Sequence, residues 1–121
     1  MAAAKHNITV GRGEDFSFSL TIADSGGSSV DLDNDLFKAE VRRDAGKPLV
    51  AKFDVSITGA PANGTILVKL PKEQTLKLDG NARYKWDLFR IIDGDVGSPD
   101  EGDTVRLIYG DLQVENNITD F

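Results

Sequence analysis

From Asp15 to Ala23 apolar Phe16, Phe18, Leu20 and Ile22 alternate with Asp15, Ser17, Ser19 and Thr21. A period of two places one set of side chains on each face of an extended chain and predicts a half-buried strand. The same alternation returns at Phe37, Ala39 and Val41, and again at Leu49, Ala51, Phe53, Val55 and Ile57, the longest strict run. Asn63-Gly64 supplies residues tolerant of positive φ for a tight hairpin, beyond which Ile66, Val68 and Leu70 resume the pattern. Residues 48–58 and 65–70 are therefore expected to pair antiparallel. Tyr84, Trp86 and Leu88 alternate next, followed by Val105, Leu107 and Tyr109, with Leu112 and Val114 in a segment that either continues the strand or pairs separately.

Pro71-Lys72-Glu73-Gln74-Thr75-Leu76 interrupts the alternation, and a proline at a first helical position with Glu73 near the positive helix end predicts one helical turn over 71–76. Strands recurring about every ten residues, joined by glycine-rich turns, predict an all-β fold, a two-sheet antiparallel sandwich of seven or eight strands. The predicted core is Phe16, Phe18, Leu20, Phe37, Val41, Phe53, Val55, Ile57, Ile66, Val68, Tyr84, Trp86, Leu88 and Leu107. In immunoglobulin-like sandwiches a tyrosine two residues before a core cysteine returns its hydroxyl to the backbone upstream. Leu78 to Trp86 fits that corner, with Tyr84 as the tyrosine and Trp86 in the cysteine's place, so the expected type is a single immunoglobulin-like domain over 1–121 with flexible ends at about 1–6 and 116–121.

Composition narrows the chemistry. The 121 residues are 40% hydrophobic and 28% charged, as in a folded globular domain, and carry a net charge of −6. That charge repels phosphate backbones and anionic lipid surfaces, so neither nucleic acid nor membrane is an expected partner. No cysteine is present, which removes disulfides, thiolate nucleophiles and cysteine-ligated zinc. The N-terminal Met1-Ala2-Ala3-Ala4-Lys5 lacks the apolar run of a secretory signal, and no apolar stretch approaches a membrane span of roughly 18 residues. Three sequons, at Asn7, Asn63 and Asn117, are accordingly read as chance.

Catalytic signatures are not found. Gly11-Arg12-Gly13 lacks the third glycine and following helix of a dinucleotide fingerprint and reads as a turn, and the single His6 belongs to no nucleophile motif. His6 is expected to be an exposed residue on a frayed end. Asp31, Asp33 and Asp35 alternate as hard-cation ligands can, but Leu36 and Arg42 occupy the glycine and glutamate positions of an EF-hand loop. A loose calcium site there competes with a solvated turn. No enzymatic activity, cofactor or obligatory metal is expected. The acidic glycine-rich stretch Asp93, Asp95, Asp100, Glu101 and Asp103, and the apolar Ile118 and Phe121 of the polar tail, are the candidate partner contacts.

Several segments together fit the pattern of one known family. Ile8-Thr9-Val10 with Gly13-Glu14-Asp15-Phe16, Val30-Asp31-Leu32, Ala39-Glu40-Val41-Arg42-Arg43, the stretch from Asn63 to Leu70, and Tyr84-Lys85-Trp86-Asp87-Leu88 together resemble the small β-sandwich structural proteins of tailed bacteriophages. The resemblance implies a non-enzymatic virion protein made in the bacterial cytoplasm. It would act in tail or baseplate assembly or as a capsid decoration, contacting other virion proteins and copies of itself. The long C-terminal extension of some members is missing, which favours a compact decoration or cement role over an adaptor. A free-standing module binding a glycan or protein is the alternative.

Overall fold

The computed structural model describes residues 4–23, 26–92 and 103–116. They form the expected all-β sandwich. Its strands are β1 (Ala4–Lys5), β2 (Ile8–Gly11), β3 (Phe16–Thr21), β4 (Leu36–Arg42), β5 (Leu49–Lys52), β6 (Asp54–Ile57), β7 (Thr65–Leu70), β8 (Arg83–Ile92) and β9 (Asp103–Glu115). The helical turn predicted over 71–76 is α1 (Lys72–Thr75), and a one-turn 3-10 helix spans Pro61–Asn63. One sheet has the order β1-β9-β8-β4-β5 with β2 also on β9, and the other has the order β3-β7-β6.

The long alternating run at 48–58 is two strands, one in each sheet. β5 pairs with β4, Phe53 N–H donates to Ala39 O, and from Asp54 the chain pairs with β7. Both sheets face a single core, so Ala51, Phe53 and Val55 keep the inward parity across the switch, and the period of two gives no sign of it. Only the 54–57 half makes the expected antiparallel pairing with 65–70. The connection between them is longer than a two-residue hairpin: it includes the 3-10 turn and closes at Gly64 with φ 69°. A Cβ there would lie 2.7 Å from Ile22 O and 2.9 Å from Val30 O, so glycine is required by both conformation and space.

At the N-terminus the structure replaces the expected frayed end. Ala4 and Lys5 run parallel to Ile108 and Tyr109, His6 N–H donates to Tyr109 O, and β2 continues parallel along Leu112 to Glu115. The sandwich is thus antiparallel except for this N-terminal edge. Gly110 makes the approach possible, since a Cβ on it would collide with the His6 carbonyl. That carbonyl accepts a 3.1 Å bond from Trp86 Nε1, and the His6 ring lies 5.6 Å from Phe18 and 6.3 Å from Trp86.

All fourteen predicted core residues belong to the core or pack against it. The core also holds Val10, Leu32, Leu70, Leu78, Leu112 and Val114, each at most 2% exposed. The tyrosine corner forms: Asp79 N–H donates to the Tyr84 hydroxyl at 2.8 Å, and the Arg43 guanidinium, ion-paired with Asp79, lies over the Tyr84 ring. Trp86 takes the place of a disulfide between the sheets, contacting Phe18 of β3 at 6.0 Å and Phe53 at 5.4 Å between ring centroids. The Gly11-Arg12-Gly13 turn is fastened to α1, with Arg12 donating to Leu76 O and Leu78 O, and Gly13 N–H donating to the buried Thr75 hydroxyl.

Candidate interaction surface

Most of the candidate contact residues lie outside the described residues: Asp93, Asp95, Asp100, Glu101, Ile118 and Phe121. Asp103 is placed only by its main chain, opposite Ile92 at the start of β9. The Asp31, Asp33, Asp35 group does not converge. Asp31 Oδ1 accepts the Asp33 N–H in a local turn, whereas Asp35 is buried and receives Arg90 Nε at 2.6 Å. Among the described residues no three acidic or histidine side chains are grouped to hold a metal ion.

The outer face of the larger sheet carries the most developed surface. The outward positions are Lys38, Glu40 and Arg42 on β4, and Lys85, Asp87 and Phe89 on β8; Thr104, Arg106 and Tyr109 join them from β9. A regular strand would put Arg106 and Tyr109 on opposite faces, because they are three residues apart. The register between β8 and β9 shifts there: Leu88 faces Ile108 while Phe89 faces Arg106, leaving Leu107 as the extra residue of a β-bulge. The bulge sends Ile108 to the core and turns Tyr109 outward, where its ring receives the Arg106 guanidinium 4.5 Å from the centroid. Tyr109 was expected to alternate with Leu107 toward the core. No sequence signal marks the bulge, since β-branched and aromatic residues fill the segment on both parities.

These side chains line an open concavity of about 560 Å³. It brings four cations, Lys38, Arg42, Lys85 and Arg106, together with Glu40, Asp44 and Asp87 on a chain whose net charge is −6. Glu40 stands directly opposite Asp87, and Arg42 directly opposite Lys85. Like charges in cross-strand pairs destabilise a sheet. Compensation comes along the strand and from the next one: Arg42 reaches Glu40 at 2.9 Å and Lys85 reaches Asp111 at 2.5 Å. Burial raises the Asp87 pKa from its ordinary carboxylate value; Arg106 opposes that rise, Glu40 adds to it and Arg42 opposes it. Asp111 moves the other way, lowered chiefly by its hydrogen bond from Lys85.

In sequence, no protein-family model and no curated protein matches the chain. Among solved structures the chain is similar to a chain in the complex of ICOS with ICOS-L and an anti-ICOS-L VNAR domain, at 13% identity and TM-score 0.44, covering 95% of this chain and 56% of that one. The extracellular domain of the voltage-gated sodium channel beta4 subunit, in parallel homodimer structures, has 14% identity and TM-score 0.40 over 98% of this chain and 97% of that chain. The second Ig domain of the mouse polymeric immunoglobulin receptor has 8% identity and TM-score 0.37 over 96% and 99%. The chain itself forms an immunoglobulin-like β-sandwich: β3, β7 and β6 occupy strands B, E and D, β4, β8, β9 and β5 occupy C, F, G and C′, and the tyrosine corner sits at the start of F.

Proposed function

We propose that this chain is a non-enzymatic structural protein of a bacteriophage virion, acting in tail or baseplate assembly or as a capsid decoration, and that it holds neighbouring virion proteins through the outer face of the larger sheet. The observation that carries the contact surface is the Glu40–Asp87 and Arg42–Lys85 opposition inside the concavity. An arrangement that weakens the sheet's own pairing is expected where a surface serves contact and not folding. A partner bringing charges of both signs relieves both like-charged pairs at once. The virion setting is supported by the phage-like segments, among them Ala39 to Arg43 and Tyr84 to Leu88, which supply much of this face.

The test is electron microscopy of purified particles with density assigned to this chain, joined to mass spectrometry of the same particles. Stoichiometric recovery of the chain is expected. Its absence from particles overturns the virion reading. The second reading, a free-standing binding module, draws on the Arg106-backed Tyr109 ring, which offers an apolar surface beside charged groups. It requires saturable binding of a glycan or protein to the isolated domain, reduced by Tyr109→Ala.

A further inference from the structure

We propose that β3 is a homodimerisation edge, on which a second copy of this chain adds its own β3 antiparallel to extend the smaller sheet across a two-fold axis. The inference is independent of the outer-face reading, since β3 lies in the other sheet.

The free edges of the two sheets differ in their protection. β5 has four residues, follows Pro48, carries Lys52, and has the Lys52 N–H bonded by Gln74 Oε1 from α1. β6 also has four residues and carries Asp54. The N-terminal edge is broken at His6-Asn7 between β1 and β2. β3 has six residues, FSFSLT, with neither charge nor proline. Charges, prolines and short length are the devices that keep edges from pairing, and β3 has none of them.

Its main chain is set up to receive a strand. Ile22 N–H donates to Gly64 O at 2.7 Å. Antiparallel alternation then directs the main-chain groups of Leu20, Phe18 and Phe16 to β7 and those of Thr21, Ser19 and Ser17 outward. The inward side chains are covered only in part there, with the His6 ring 5.6 Å from Phe18. Phe16, Phe18 and Leu20 are only partly buried, whereas their partners across β7, Leu70, Val68 and Ile66, are 0% exposed.

A second copy fits this edge by symmetry and by charge. With the axis through Ser19, Ser19 faces its own counterpart and Ser17 faces Thr21 of the second copy, pairing outward-directed main-chain groups with each other. Phe18 then faces Leu20 and Phe16 faces Ile22 on the core side. Hydroxyl pairs and aromatic–aliphatic pairs are favourable cross-strand combinations. Elsewhere a net charge of −6 opposes self-association, but the segment from Phe16 to Ala23 is uncharged.

Analytical ultracentrifugation of the full chain, in a concentration series up to about 1 mM, should show a monomer–dimer equilibrium. Ser19→Lys places two ammonium groups on the axis and should weaken the dimer tenfold or more with an unchanged melting curve, since Ser19 is exposed. Ser19→Cys should form a disulfide-linked dimer under mild oxidation, with no competing cysteine in the chain, while the exposed Ser56→Cys on β6 should not. A monomer at every concentration, a dimer indifferent to Ser19→Lys, or equal cross-linking through Ser56→Cys overturns the proposal. Arg106→Glu should leave the dimer intact, which separates this interface from the outer-face surface.

Discussion

On the outer face of the larger sheet Glu40 faces Asp87 and Arg42 faces Lys85; on that of the smaller sheet Thr21 faces Thr65, with 3.0 Å between their hydroxyls, and Asp54 faces Lys69. Both faces sit on the same core, so burial does not account for the difference. Those two pairs of the smaller sheet are of the kind that stabilise pairing, while the larger sheet sets like charges opposite each other and restores balance through the cross-strand partners Lys52 of Glu40 and Asp111 of Lys85 and through Arg42–Glu40. Local conflict retained on a rigid scaffold is the feature on which the proposed contact surface rests. The smaller sheet's contact capacity lies instead in the edge of β3.

The comparison depends on a shared core, and the largest effect should come from breaking it. Trp86→Ala removes the side chain that joins β8 to Phe18 and Phe53, and should cost about 3 to 5 kcal/mol by thermal or denaturant unfolding, as for a large aromatic deleted from an interior. An unchanged melting curve would mean that the sheets are not held together at this point. Next comes Arg90→Ala. It strips the guanidinium from the buried Asp35 carboxylate and should destabilise by about 3 kcal/mol, because one member of a buried ion pair is left behind. Tyr84→Phe should cost about 1 to 2 kcal/mol, since the Asp79 N–H loses its acceptor while the ring stays packed.

The smallest effects sharpen the contrast in the outer face itself. Asp87 has a folded-state pKa above its ordinary value of 3.8, so the folded state binds its proton more tightly than the unfolded chain does. Wild-type stability should therefore fall as pH rises between that ordinary value and the raised one. Asp87→Asn should accordingly raise the melting temperature slightly at pH 7 and lose its advantage below both values. Asp111 has the opposite sign: its lowered pKa gives stability that is present above the ordinary value and lost as pH falls through the folded one. Paired melts of Asp87→Asn and Lys85→Ala across that range should diverge in opposite directions. Parallel behaviour would contradict the charge arrangement.

Much of the sandwich was legible because alternation directly encodes which side chains turn inward. Phe16 to Ile22, Phe37 to Val41 and Tyr84 to Leu88 all face as their period requires. The tyrosine corner was legible too, since Tyr84 and Trp86 stand at a fixed spacing after a glycine turn. The transfer of the chain between sheets at Phe53 was not, as parity toward a common core is the same before and after it. Nor was the Leu107 bulge, which alone brings Arg106 and Tyr109 onto one face. His6 looks peripheral because a lone histidine near a terminus has no periodic neighbours, yet its carbonyl accepts from Trp86, 80 residues away in sequence, and its N–H donates to Tyr109. The outer-face cluster is illegible for a different reason: Glu40, Arg42, Lys85 and Asp87 read singly as the solvated positions of half-buried strands, and only the register places Glu40 opposite Asp87 and Arg42 opposite Lys85.

The outer face of the larger sheet, and not the stability of the domain, is the part of the molecule proposed to carry function. The most direct measurement is incorporation of the Arg106→Glu, Tyr109→Ala double variant into purified particles, quantified by mass spectrometry beside its melting curve. Both side chains lie on the outer face, so the variant should melt within a few degrees of the wild type while its incorporation falls at least tenfold. A folded variant incorporated at the wild-type level would contradict the account.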